Sequence, residues 1–187
     1  LFSLSVFFIG YLSDRNYLSS PKSRLYIQII IFVLFVYFEK LRINSINIYF
    51  IDQLLNIKYI NLFFTVFCFS VLVNGTNFID GLNGLVVGYF LLILLSLLYI
   101  NQYSITNYPI IIIDLSLVKI LFFSLIIFLI LNLNGSIYLG DSGSYLISFI
   151  IGYLLIKLNN DNNFISPFFV VNMLWYPAFE NLFSLLR

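Results

Sequence analysis

Three short polar stretches hold side chains whose types and spacing could do chemistry. The first, Asn74 to Leu85, reads NGTNFIDGLNGL and interrupts apolar runs on both sides. Wound as a helix, Asn74, Asn77, Asp80 and then Asn83 or Gly84 recur every three or four residues, so amides and a carboxylate share one face. The glycines between them let a bulky polar ligand approach the backbone. A turn between two spans would also collect Asn and Gly, but it has no need of an Asn, Asn, Asp series at that spacing. The second stretch, Gly10 to Gln28, places Asp14 beside Arg15, Lys22 and Arg24. Basic groups at headgroup level suit phosphate, and Arg15 or Lys22 taken singly would serve equally well as interface anchors. In the third, Ser136 to Leu146, Asp141 lies between two glycines, with Ser142 and Ser144 placed to cap the following helix. A helix start welcomes anionic oxygen. Asp141 is the natural ligand there for Mg2+, which takes one or two carboxylates together with phosphate oxygens and water. Three carboxylates, cations and glycine-lined amides suit a metal-assisted reaction on a phosphate-containing substrate.

The elements that must position these groups are membrane helices. The chain is 61% hydrophobic and 9% charged, with mean hydropathy +1.03, against the roughly 25% charged residues of a soluble domain. With 9 Lys+Arg against 8 Asp+Glu it offers no basic patch to nucleic acid. There is no histidine to act as base or ligand, and the single cysteine, Cys68, reads as a small buried hydrophobe that has no disulfide partner within the chain. Seven apolar segments are legible: Leu1–Leu12 (incomplete), Arg24–Phe38, Tyr59–Val73, Leu85–Ile100, Leu115–Leu133, Tyr145–Leu158 and Phe164–Leu185. The expected fold is therefore all-α, a polytopic membrane helix bundle, because backbone in lipid must satisfy its own hydrogen bonds and no period-two strand pattern is present. Parity then puts all three polar stretches on one membrane face. The connectors 39–58, 101–114 and 159–163 fall on the other, where they read as ordinary solvated loops. Lys and Arg counts balance across the two faces and give no orientation. No linker divides residues 1–187, so one domain is expected, and both termini open directly onto apolar runs as in a fragment of a longer protein.

At these residues the chain resembles the polyprenyl-phosphate N-acetylhexosamine-1-phosphate transferases of glycosyltransferase family 4. The likeness rests on a G-x-x-[acid]-D-like loop ending in Asp14, the N-x-x-N-x-x-D-G-x-x-G-L loop from Asn74, and the G-D-x-G-S loop around Asp141. The ending LWYPAFENLFSLLR is similar to a P-x-x-D segment of the N-acetylglucosamine branch, with Glu180 in place of Asp. The resemblance implies transfer of a sugar 1-phosphate from a UDP-N-acetylhexosamine to undecaprenyl phosphate, with release of UMP, in cell-envelope polysaccharide synthesis such as that of lipopolysaccharide. It also implies a multi-pass protein of the inner membrane whose site faces the cytoplasm, and a homodimer as a reasonable assembly. By the same likeness Asp141 would hold Mg2+, and Asp14 would lie near the metal or the lipid phosphate. Asp80 and Asn77 would organise the nucleotide-sugar site, Tyr138 would stack on uracil, and Arg24 would meet phosphate; Lys22, Asn74 and Asn83 complete the expected substrate contacts. The chain departs from the pattern at Ser13, where relatives carry a second acid, and at Asn83, where many carry Asp. The family's histidine-containing loop would lie beyond Arg187. A transporter is the rival from another class, but it needs ionisable groups near the bilayer midplane rather than at span ends. An inactive or structural paralogue is the second rival.

Overall fold

The computed structural model describes residues 1–107, 115–162 and 165–186. Expectations that fall on 108–114, 163–164 and Arg187 lie outside the described residues. All seven apolar segments are helical: α1 (Phe2–Asp14), α2 (Pro21–Phe38), α4 (Lys58–Ile79), α5 (Leu85–Asn107), α6 (Leu115–Leu133), α7 (Gly140–Asp161) and α8 (Pro167–Leu186). An additional short helix, α3 (Tyr49–Leu55), lies inside the 39–58 connector. Among the described residues five helices (α2, α4, α5, α6 and α7) are long and apolar enough to cross a bilayer, whereas α1 has 13 residues and α8 contains Pro177.

The bundle is built around α7. Its apolar window is 56% buried, against 17% for α6 at the periphery. One packed cluster joins α7 to α1, α2 and α4 through Val6, Phe32, Phe35, Phe69 and Phe149. The Phe35 and Phe149 rings meet at 4.7 Å edge to face, and Phe32 stacks on Phe149 at 5.8 Å. A second cluster joins α7 to α5, α6 and α8. Close packing of this kind must hold the helices together, because lipid tails give no hydrophobic drive to helix association.

Backbone contact is closest where α4 crosses α8. A Cβ at Gly75 would overlap the Pro177 carbonyl, so only glycine fits the crossing. Pro177 has no N–H to offer the Met173 carbonyl one turn back, and the Tyr89 hydroxyl of α5 donates to that oxygen instead.

The 39–58 connector is not the ordinary solvated loop its composition suggested. Asp52, in the first turn of α3, accepts from the Ile46 N–H at 2.7 Å and from the Ser45 hydroxyl at 3.0 Å, which folds the preceding loop back onto the helix. Asn61 on α4 bonds the Ile43 N–H and carbonyl at 3.1 and 2.8 Å and the Leu55 carbonyl at 2.9 Å. The exit from α2 is a Schellman turn: the Leu41 N–H donates to the Val36 carbonyl at 3.1 Å, both side chains are buried, and Lys40 takes φ +50. Glycine is usual at that position. A lysine costs about 1–2 kcal/mol there.

Candidate active site

The three polar stretches converge on one end of the bundle. Asp14, in the last turn of α1, reaches the start of α7: its Oδ1 accepts from the Asp141 N–H at 2.9 Å and its Oδ2 from the Ser142 N–H at 3.1 Å. The cap of α7 is thus supplied by a residue 127 positions away in the chain. It corrects the expectation for Ser142 and Ser144: α7 has no local side-chain cap, and the Ser144 hydroxyl turns inward to the Asn77 amide oxygen at 3.3 Å and the Asp141 carbonyl at 3.2 Å. A carboxylate at this position satisfies orphan N–H groups and complements the helix dipole.

Two glycines allow the approach. A Cβ at Gly10, one turn before Asp14, would overlap the Ser142 backbone, and one at Gly140 would sit 3.0 Å from Asp14 Oδ2. Gly140 also has φ +65, which a side-chain-bearing residue adopts only with strain.

Arg24, in the first turns of α2, pairs with Asp141 Oδ2, and the Ser13 hydroxyl stands between them, donating to that oxygen and accepting from Arg24. Asp80 is the residue after α4, not part of it, and the turn from 80 to 84 leaves Asn83 exposed. The expected continuous helical face therefore ends at Asn77. Asp80 nevertheless joins the cluster. Its pKa is pushed up to about 6, first by burial, then by the negative charge of Asp141 and more weakly of Asp14, while the Gly140 N–H pulls it back down. Of the three carboxylates Asp141 alone pairs with the guanidinium, and Asp80 feels the negative charge of the other two.

Beneath the carboxylates lies a polar layer within the bundle. Asn74 donates to the Gln28 side-chain amide oxygen, Oε1, at 3.0 Å and to the Ser70 backbone carbonyl at 2.9 Å, and Asn77 lies 3.5 Å from the Tyr145 hydroxyl. Two buried donors on α2, Arg24 Nε and Gln28 Nε2, have no hydrogen-bond partner among the described residues. Asn132, in the last turn of α6, ties two loops together: its oxygen accepts from the Gly84 N–H at 2.6 Å and its amide donates to the Ile137 carbonyl at 2.8 Å. Gln28 and Asn132 were not singled out by sequence. Each is an amide at the edge of a long apolar run, which is the available signal. Lys22 and Tyr138 are exposed at the same end, Tyr138 at 72%. Arg15 lies over the Tyr11 ring at 5.5 Å, as an interface anchor does.

A family profile described as glycosyl transferase family 4 matches residues 1–159. The chain belongs to that family. No curated protein and no solved structure matches the chain. As a family 4 member it is a multi-pass membrane transferase, whose donor is a nucleotide sugar and whose acceptor is a polyprenyl phosphate. The matched region contains Asp14, Asp80, Asp141 and Arg24, and it stops before Pro177 and Glu180.

Proposed function

We propose that the protein transfers N-acetylhexosamine 1-phosphate from a UDP-sugar to undecaprenyl phosphate for a cell-envelope polysaccharide, at a site on the cytoplasmic side of the inner membrane. An oxygen of the lipid phosphate attacks the β-phosphorus of the donor. The bridging bond to the α-phosphate breaks, and UMP leaves with the electron pair. The observation that carries this reading is the meeting of Asp14, Asp80 and Asp141 with Arg24 at one end of the bundle. A lipid phosphate and a soluble diphosphate can react only where the bilayer meets water.

Mg2+ fits the donor set. Among the described residues no three His, Cys, Asp or Glu side chains form a metal cage, but Mg2+ binds through one or two carboxylates plus substrate phosphates. Asp141 Oδ1 accepts no hydrogen bond among the described residues, and Asp80 lies in the same negative field. These two would hold the ion. Asp14, with both oxygens committed to the α7 amides, serves instead to fix where Asp141 stands. When bound, the metal neutralises the diphosphate as charge shifts to the leaving UMP. Arg24 draws anionic phosphate toward Asp141, and the unpartnered Arg24 Nε and Gln28 Nε2 supply donors beside it. Asn77 and Asn74 brace this layer, while Tyr138, Asn83 and Lys22 lie at the water side, where a uridine and its phosphates would arrive. A lipid phosphate is already largely ionised near neutral pH, so Ser13 in place of a second acid does not remove a necessary base.

Full-length protein in detergent, given UDP-N-acetylglucosamine, undecaprenyl phosphate and Mg2+, is expected to release UMP. Asp141→Asn should lower the rate about a hundredfold or more. Undiminished release by that variant removes Asp141 from the mechanism, and a panel of UDP-sugars identifies the donor.

A further inference from the structure

At the end of the bundle opposite the carboxylates, a cavity of about 940 Å3 opens between the last turn of α2, the connector and the start of α4. Lys40, Arg42 and Lys58 line it, and no carboxylate does. Among the described residues none of the three forms an ion pair, although Lys58 lies over the Tyr37 ring at 5.9 Å. Glu39 and Asp161 line a smaller neighbouring cavity of about 220 Å3, which shares Lys40 and Arg42. The rest of the larger wall is mostly apolar, with Val36, Leu55 and Leu62 among its residues. Around it α3 and its flanks hold out Tyr49 at 81%, Phe50 at 68% and Tyr59 at 74% exposure, as an aromatic belt does at a membrane boundary.

We propose that this cavity binds the phosphate headgroup of an anionic membrane phospholipid, with its acyl chains running down the apolar wall. Three lining cations match a phosphodiester, and the greasy lining selects an amphiphile over a soluble anion. The site lies between two crossing helices, where a headgroup naturally stands. Holding α3 and the connector against α2 and α4 is the consequence of filling it.

Lys40 permits a clean test, because its backbone conformation is one that glycine prefers. Full-length protein in neutral detergent is titrated with phosphatidylglycerol, phosphatidylcholine or glycerol 3-phosphate, and bound lipid is counted by native mass spectrometry. Phosphatidylglycerol should bind best, with affinity falling about fivefold for each of Lys40→Gly, Arg42→Gln and Lys58→Gln. Lys40→Gly should melt no lower than the parent, so its loss of lipid is not a loss of fold. Equal binding of phosphatidylcholine, or unchanged phosphatidylglycerol affinity in the triple variant, overturns the proposal. Displacement by equimolar glycerol 3-phosphate does so as well, by showing a site for a soluble anion.

Discussion

At the carboxylate end of the bundle, helix termini are joined by charge: Asp14 caps α7, Arg24 pairs with Asp141, and Asp80 is held in the same negative field. At the connector end Asp52 holds its own loop, but the ties that reach from one helix to another are made by neutral amides. Asn61 gathers the backbone at Ile43 and Leu55, and Asn160 bonds the Arg42 carbonyl and the Asn44 N–H. Amides satisfy backbone groups without leaving charge behind, so they suit a purely structural task. The carboxylate end retains an excess of negative charge that costs stability unless a cation or a donor-rich substrate arrives. Carboxylates from three separate segments drawn together at helix ends, more than the mere presence of polar residues, mark the working end.

The contrast is broken most severely at Gly10. In Gly10→Ala the new methyl overlaps the Ser142 backbone, α1 is pushed off α7, and stability should fall by about 3 kcal/mol. Asn61→Ala strips the connector of its ties and should cost about 2 kcal/mol. The two differ in what they do to chemistry: at a temperature where both remain folded, Gly10→Ala should lower the rate of UMP release, whereas Asn61→Ala should leave it unchanged. A rate loss in Asn61→Ala equal to that in Gly10→Ala would erase the distinction between the ends.

A smaller effect of opposite sign is expected at Asp80. Its pKa rises from 3.8 to about 6 on folding, so the folded protein binds the proton more tightly than the unfolded chain does. Stability is therefore lost as pH climbs from about 4 to about 6, and the full penalty stands above that range. Asp80→Asn should melt slightly higher than the parent at pH 7.5 and the same at pH 4, while transferring sugar phosphate more slowly. A melting temperature lowered at pH 7.5 would mean that the Asp80 charge is already compensated.

Much of this arrangement was legible because membrane helices announce themselves by apolar length, and because an even number of crossings forces polar stretches onto a shared face. The convergence of Asp14, Asp80 and Asp141 followed from that parity. What the letters could not show was reach. Asp14 reads as a group near the metal or the lipid phosphate until α1 is seen lying against α7, and Ser142 and Ser144 look like local caps until a distant carboxylate takes that place. The series from Asn74 to Asn83 is helical in spacing, yet α4 ends at Ile79, since the glycines that follow favour a turn over another helical turn. Gln28 and Asn132, each at the edge of an apolar run, leave a weaker mark in the letters than a cluster of polar residues does, although a buried amide is expensive in lipid. The 39–58 connector looked featureless for a related reason: its order depends on Asp52 and Asn61, whose partners are mostly backbone groups that leave no mark on composition.

The convergence itself can be measured as a distance. In a Cys68→Ser background, Asn83→Cys and Tyr138→Cys, both exposed positions on loops at the carboxylate end, would be spin-labelled in lipid nanodiscs and the separation read by pulsed electron resonance. A separation well below the roughly 30 Å of the hydrocarbon layer is predicted. A separation equal to that thickness or greater would place the two loops on opposite sides of the membrane and contradict a shared site.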